Sequence, residues 1–297
     1  MTHTDLSEQI FRKQSYLCVG LDTDLHKLPR HLLTESDPVF AFNKAIIDAT
    51  ADVAVAYKPN IAFYEAQGPR GWESLRRTLD YVPSGCFTIA DAKRGDIGNT
   101  SGLYARTFFD PPAAGLTFDS ITVSPYMGRD SVMPFLEYAG KWVILLALTS
   151  NPGSADFQRI VTSDPLRANP NTTNAEVGGS DGRENNTERL YETVIKTAQT
   201  WAGPDRLMFV VGATQADELS HIRALAPDNF LLVPGVGAQG GSLAEVSRWG
   251  LTSAGGLLVN ASRSILYASD GPDFADRARA EAVALQTEMA TYLAGRV

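Results

Sequence analysis

The sequence is poor in cysteine and lacks any long hydrophobic run. Its 297 residues include only two cysteines, Cys18 and Cys86, and both stand in apolar runs typical of strands. So low a content argues against a disulfide framework, no zinc-binding spacing occurs, and we expect two reduced thiols in the core. The longest apolar run, WVILLAL at 142–148, is far too short to cross a bilayer.

Basic residues are in the minority. The chain has 26 Lys and Arg against 34 Asp and Glu, a formal net charge of −8. This charge argues against nucleic acid or an anionic membrane as a partner, although a small anionic substrate still fits a locally basic site. The first fifteen residues, MTHTDLSEQIFRKQS, are polar and lack the apolar centre of a signal peptide, so we expect a cytoplasmic protein.

Short β-rich runs recur along the chain and are almost continuously apolar, as in strands that are buried on both faces of a parallel sheet. The eight runs are YLCVGL (16–21), VAVAY (53–57), CFTIA (86–90), SITV (120–123), WVILLAL (142–148), LMFVVG (207–212), FLLVPG (230–235) and GLLVNA (256–261). Helix-compatible stretches such as VFAFNKAIIDATA, GWESLRRTLDYV, QADELSHIRAL and SLAEVSRWG separate most of them. Eight alternating units predict an α/β fold, a (β/α)8 TIM barrel that spans residues 1–297 as one domain. An open doubly wound sheet is the alternative, but it more often carries a glycine-rich turn after its first strand.

One stretch breaks this rhythm. Residues 163–188, SDPLRANPNTTNAEVGGSDGRENNTE, are almost devoid of apolar side chains. Two interpretations remain open: a disordered surface insertion, or a lid over the mouth of the barrel.

Charged residues stand at the ends of the apolar runs. Asp91 and Lys93 directly follow CFTIA, and Asp96 comes after them in the same hexapeptide. Because side chains two apart in a strand point the same way, Asp91 and Lys93 are both expected to project into the barrel mouth, where barrel enzymes keep their active sites. Lys58 ends the second run and Asp22 the first. Any one of these could be a solvated charge, but five together indicate chemistry.

Two later segments have the character of a phosphate site. VPGVGAQGG (233–241) follows the seventh run and offers glycine amides, while VNASRSI (259–265) follows the eighth and supplies Arg263. Phosphate sites of barrel enzymes are commonly built from these two loops.

These segments carry a resemblance. DAKRGDIGNT, together with AYKPNIAFYEAQG, LTSNPGS, VPGVGAQGG and NASRSI, resembles orotidine 5′-phosphate decarboxylase, and the long insertion resembles its larger bacterial subgroup. The likeness extends from about residue 16 to 268. The D-x-K-x-x-D element alone is shared with metal-dependent relatives that act on sugar phosphates.

The resemblance implies the decarboxylation of orotidine 5′-phosphate to UMP in pyrimidine biosynthesis, without cofactor or metal, by a homodimer. It implies a catalytic array of Lys58, Asp91, Lys93 and Asp96, with Asp96 donated by the second subunit. For substrate binding it implies Asp22 and Thr100 at the ribose (Thr100 also from the second subunit), Ser150 and Pro234 at the pyrimidine, and Gly235, Gly237, Gln239 and Arg263 at the phosphate.

The chemistry gives these groups a purpose. Loss of CO2 from C6 leaves a carbanion that no cofactor delocalises, so a fixed positive charge and a proton are needed there. Lys93 can supply both, and Asp91 would lie close to the departing carboxylate. Two other classes stay open: a metal-dependent sugar-phosphate lyase, against which Lys58 argues, and a catalytically silent nucleotide-binding protein.

Overall fold

Eight parallel strands close into a barrel in the computed structural model of the chain, which describes residues 1–163, 187–237 and 240–295. The barrel strands are β1 (Leu17–Leu21), β2 (Ala56–Pro59), β3 (Phe87–Arg94), β4 (Ser120–Val123), β5 (Trp142–Leu148), β8 (Leu207–Val211), β9 (Leu231–Pro234) and β10 (Leu257–Ala261). Each strand pairs with the next along the chain, and β10 closes on β1. The (β/α)8 TIM barrel predicted from the sequence is therefore confirmed.

Helices fill the connections and cover the outside of the barrel. Their bounds are α1 (His3–Lys13), α2 (Pro38–Thr50), α3 (Ile61–Glu65), α4 (Pro69–Tyr81), α5 (Gly98–Phe109), α6 (Pro111–Ala114), α7 (Arg129–Leu136), α8 (Leu190–Gln199), α9 (Ala216–Leu225), α10 (Leu243–Gly250), α11 (Arg263–Leu266) and α12 (Phe274–Ala294). Asp37 is the N-cap of α2, because its carboxylate accepts from the N–H of Phe40 at 3.0 Å, and Pro38 occupies the first helical position.

The predicted apolar runs coincide with the barrel strands to within a few residues, and every residue of β1, β4, β8 and β10 is buried. The second run is the exception. VAVAY at 53–57 was expected as a strand, but the N–H groups of Val53 and Ala54 donate to the carbonyl of Thr50 and complete the turn after α2. The strand is displaced toward the C-terminus, so Lys58 lies within β2 rather than after it.

Two further strands lie outside the barrel. β6 (Val161–Ser163) and β7 (Thr187–Arg189) pair antiparallel and bring the two ends of the polar insertion together. The lid predicted at 163–188 otherwise falls on 164–186, outside the described residues, and stays a prediction.

The two cysteines are buried and free, as the sequence predicted. Among the described residues, no helix combines the length and apolar character that crossing a membrane requires.

Candidate active site

The C-terminal ends of the barrel strands hold a buried lysine between two carboxylates. Lys58 lies in β2 with only 5% of its side chain exposed, and its Nζ donates to Asp91 Oδ2 at 2.8 Å. Asp22, directly after β1, brings its Oδ1 to 3.9 Å from the same Nζ. A buried ammonium is tolerated only when it is paired, and these two carboxylates provide the pairing.

Asp91 also accepts from Lys93, whose Nζ bonds to its Oδ1. The two side chains therefore meet, as the sequence predicted, but regular strand alternation does not bring them together. The pairing of β3 with β4 is irregular between Ala90 and Arg94, and Lys93 adopts a φ of 46°. This left-handed backbone is uncommon outside glycine and costs free energy, so the rest of the site must hold it in place.

Thr122 is the residue that holds this irregular segment, and sequence reasoning missed it. It lies in β4 and is buried; its hydroxyl accepts from the N–H of Lys93 at 2.9 Å and donates to Asp91 Oδ1 at 3.1 Å. One hydroxyl thus fixes both the strained backbone of the lysine and the carboxylate that the lysine contacts. The available signal was a single polar residue in the middle of the apolar run SITV.

These contacts decide the charges of the buried groups. Burial alone would raise the pKa of Asp91, but the ammonium groups of Lys58 and Lys93 outweigh it and hold that pKa well below its usual range. For Lys58, burial would lower the pKa, yet the carboxylates of Asp91 and Asp22 raise it above its ordinary value. At neutral pH the site therefore presents fixed charges of both signs.

Asp22 keeps part of its carboxylate uncommitted. Its Oδ1 is buried, and it has no hydrogen-bond partner within the part of the chain that the structure describes. Its nearest charge is the Nζ of Lys58 at 3.9 Å, while 22% of the Asp22 side chain stays exposed, so the exposed part of the carboxylate can accept from a hydroxyl of a ligand.

Asp96 and Thr100 lie at the edge of the mouth, where β3 passes into α5. The Asp96 carboxylate accepts from the N–H of Ile97 at 2.7 Å and makes no ion pair with any described residue of its own chain. Thr100 is exposed on the first turn of α5. The structure therefore does not join Asp96 to Lys93 within one chain, and both residues face the surface.

Exposed apolar residues lie near these two in the chain and in the loop after the neighbouring strand β4, where the N–H of Ser124 donates to the carbonyl of Arg94 at 2.7 Å. Ile97 and Leu103 on one side, and Tyr126 and Met127 in the loop before α7, have between 45% and 84% of their surface exposed. Exposed apolar residues grouped in this way are typical of a surface that another molecule covers.

The predicted phosphate residues follow β9 and β10. Pro234 ends β9 and is half-buried, and Gly235 and Gly237 adopt φ values of 98° and 72°. The loop is tight, because the N–H of Gly237 already donates to the carbonyl of Gly241 at 3.0 Å. Arg263 opens α11 with its side chain exposed, while Gln239 falls outside the described residues.

Ser150, predicted to contact the pyrimidine, follows β5 and lies against the backbone after β8. A Cβ atom on Gly212 would stand 2.7 Å from the Cα of Ser150, so this close approach requires glycine there. Gln158 steadies the neighbouring residue, accepting from the N–H of Thr149 at 2.7 Å and donating to its hydroxyl at 2.9 Å. No sequence pattern indicated this contact.

The described candidates thus share one end of the barrel. Asp22, Lys58, Asp91 and Lys93 are linked by ion pairs, and Ser150, Pro234 and Arg263 lie at or after the C-terminal ends of other barrel strands. Within the described residues, no three His, Cys, Asp or Glu side chains come together as a metal ion would need.

The chain is similar to known proteins in sequence and in fold. The profile described as "Orotidine 5'-phosphate decarboxylase / HUMPS family" matches residues 15–278. A protein of Christiangramia forsetii named orotidine 5′-phosphate decarboxylase is 55% identical over 296 residues, covering 99% of each chain. One of the same name from Bacteroides fragilis is 54% identical and covers 99% of this chain and 98% of its own. The solved structure of Leishmania donovani OMP decarboxylase is 34% identical with a TM-score of 0.74, covering 97% of this chain and 100% of that one.

Proposed function

The chain belongs to the orotidine 5′-phosphate decarboxylase / HUMPS family, and we propose that the charged array at its barrel mouth converts orotidine 5′-phosphate to UMP without a cofactor. The overall activity, the decarboxylation of orotidine 5′-phosphate, is the one that its relatives' names carry, and it would serve pyrimidine biosynthesis. The single observation that supports the mechanism is the contact of Asp91 with both Lys58 and Lys93.

In the proposed reaction the bond between C6 and the carboxylate breaks, CO2 departs, and the electron pair stays on C6. The ammonium group of Lys93 stabilises this carbanion and then donates a proton to it, which gives UMP and a neutral lysine that is reprotonated from water. The exposure of the Lys93 side chain, about half its surface, fits a group that has to reach a ligand.

Asp91 and Lys58 have supporting roles in this scheme. Asp91 would lie beside the substrate carboxylate, whose negative charge it disfavours until CO2 leaves. Lys58 compensates Asp91 from the buried side, since its Nζ lies 2.8 Å from Asp91 Oδ2. The array therefore keeps its charges fixed before the substrate arrives.

The remaining candidates would bind the rest of the substrate. The partly exposed carboxylate of Asp22 supports a ribose contact, and Ser150 and Pro234 would contact the pyrimidine. For the phosphate, the exposed guanidinium of Arg263 carries the proposal, while Gly235, Gly237 and Gln239 are assigned from the resemblance alone. Such distant contacts supply binding energy that holds the reacting ring against the array.

The direct test is the absorbance of orotidine 5′-phosphate after addition of the purified protein. We expect the absorbance to fall and UMP and CO2 to form in equal amounts. UMP binding with no turnover would contradict the proposal and favour a silent nucleotide-binding protein.

We further propose that the active unit is a homodimer in which Asp96 and Thr100 complete the site of the other subunit. The apolar patch of Ile97, Leu103, Tyr126 and Met127 beside them supports this, because a second copy would bury it. The position of Asp96, without an ion pair to a described residue of its own chain, supports it as well.

Subunit exchange tests the shared site. The inactive homodimers Lys93→Ala and Asp96→Ala are mixed and allowed to exchange. A heterodimer then has one site with both lesions and one with neither, so random exchange restores about a quarter of wild-type activity.

If both residues of a site came from one chain, every site would keep a lesion. A mixture that stays inactive, with heterodimers confirmed by native mass spectrometry, would contradict the shared site.

A further inference from the structure

A single tyrosine hydroxyl holds the loop that carries Asp22. Tyr267 donates to the carbonyl of Asp22 at 2.9 Å and accepts from the N–H of Asp24 at 2.8 Å. The loop follows β1, whereas Tyr267 directly follows α11, the short helix that opens with Arg263. The contact therefore connects two segments that are more than 240 residues apart in the chain.

The other hydrogen bonds of this loop involve the residues on either side of Asp22, not Asp22 itself. Tyr64 donates to the carbonyl of Leu21 at 3.1 Å, and the buried Thr23 hydroxyl donates to Asn43 at 2.6 Å. Both of these partners lie on the α2 and α3 side of the loop. Tyr267, whose ring faces Phe42 of α2, contacts the backbone of Asp22 itself.

The side chain of Asp22 depends on that backbone. Its Oδ1 has no hydrogen bond to a described residue, and the Nζ of Lys58 lies 3.9 Å away, beyond hydrogen-bond distance. With little to orient the carboxylate directly, the conformation of its main chain decides where it points.

We propose that Tyr267 is a positioning residue, which sets the Asp22 carboxylate where it accepts from a hydroxyl of the substrate's ribose. This inference rests on the proposed function, since it takes the ligand to be a ribose phosphate. Tyr267 directly follows α11, and α11 is anchored because its Ile265 and Leu266 are fully buried. A displacement of the Asp22 backbone would weaken the ribose contact selectively.

The test compares Tyr267→Phe with Tyr16→Phe. Phenylalanine keeps the ring of Tyr267, which lies 6.3 Å from the ring of Phe42 and beneath the ammonium of Lys27, and it removes only the hydroxyl. Tyr16 is the matched control. It stands just before β1, at the end of the barrel away from the site, and its buried hydroxyl is hydrogen-bonded to Ser247 of α10.

Calorimetry measures the affinity of each variant for UMP and for 2′,3′-dideoxyuridine 5′-phosphate, which lacks both ribose hydroxyls. We expect Tyr267→Phe to lower the affinity for UMP by about five- to tenfold, which is the effect of losing one well-placed hydrogen bond. The affinity for the dideoxy nucleotide should fall by less than twofold. Tyr16→Phe should lower the melting temperature similarly and leave the ratio of the two affinities unchanged.

Equal weakening of both nucleotides by Tyr267→Phe, or a ratio no different from that of Tyr16→Phe, would overturn the inference. Binding is measured without turnover, so these results stay separate from the proposed function. Failure of the wild-type protein to decarboxylate orotidine 5′-phosphate would contradict that function alone.

Discussion

Replacing Thr122 by valine tests whether the strained segment at Lys93 is held for catalysis. The substitution keeps the shape of the side chain and removes a hydroxyl that accepts from the N–H of Lys93 at 2.9 Å and donates to Asp91 at 3.1 Å. Thr122 itself is buried in β4. No other group of the described chain makes this pair of contacts.

The expected loss follows from the two bonds. A hydrogen bond to an ionised carboxylate contributes about 1.5–3 kcal/mol and one between neutral groups about 0.5–1.5 kcal/mol, so the free energy of unfolding should fall by about 2–4 kcal/mol. In a chain of this size, each kcal/mol lowers the melting temperature by about 2–3 °C. Released from Thr122, Lys93 can relax from its φ of 46°, and a displacement of the reacting group should lower kcat about 10- to 100-fold.

Thr88→Val is a closely matched control. The Thr88 hydroxyl donates to the carboxylate of Asp119 at 2.9 Å and accepts from the N–H of the same residue at 2.8 Å. Thr88 thus makes the same two kinds of hydrogen bond as Thr122, one from an N–H and one to a carboxylate. It lies near the start of β3, at the opposite end of the barrel. We expect a similar loss of stability with kcat within about twofold of wild type.

Thermal unfolding and steady-state decarboxylation, measured on both variants well below their melting temperatures, separate the two effects. If Thr122→Val kept kcat within twofold while losing as much stability as Thr88→Val, the hydroxyl would be structural only. The argument that it positions Lys93 would then be refuted.

Three further predictions concern the array and the phosphate. Lys93→Ala should keep the fold and the affinity for inorganic phosphate yet lose turnover by several orders of magnitude, and a kcat within about tenfold of wild type would exclude Lys93 as proton donor. Arg263→Ala should lower kcat/KM for orotidine 5′-phosphate by a factor that corresponds to about 2–4 kcal/mol of transition-state stabilisation, and it should leave kcat/KM for the phosphate-free nucleoside nearly unchanged. Equal losses for both substrates would contradict the assignment of Arg263. Activity should survive exhaustive chelation, and recovery of lost activity with Mg²⁺ would favour a metal-dependent lyase.

Much of the fold could be predicted because buried parallel strands appear in the sequence as continuously apolar runs. A run such as WVILLAL is apolar at every position, since both faces of a barrel strand are covered, and it coincides with β5. The displaced second strand shows the limit of that signal. VAVAY is as apolar as a strand, but its first two residues pack as the buried turn after α2.

The site was harder to predict, because its geometry depends on contacts between distant residues. The sequence indicated that Asp91 and Lys93 would meet, but regular alternation was the wrong reason. The irregular pairing with β4 and the hydroxyl of Thr122 produce the contact, and neither can be read from the hexapeptide. The tie from Tyr267 to Asp22 joins the two ends of the barrel sequence and leaves no local pattern.

The pairing around Asp91 explains how the proposed reaction can use Lys93 without collapsing the array. Lys93 donates to Asp91, so it must turn away from that carboxylate to reach C6. Asp91 then still accepts from Lys58 at 2.8 Å and from Thr122 at 3.1 Å. A buried carboxylate that lost its only partner would be strongly destabilised, whereas one that keeps a cation and a hydroxyl stays ionised. In the proposed reaction Lys58 would therefore free Lys93 to act, which is a physical reason for a second lysine at a site that needs only one proton donor.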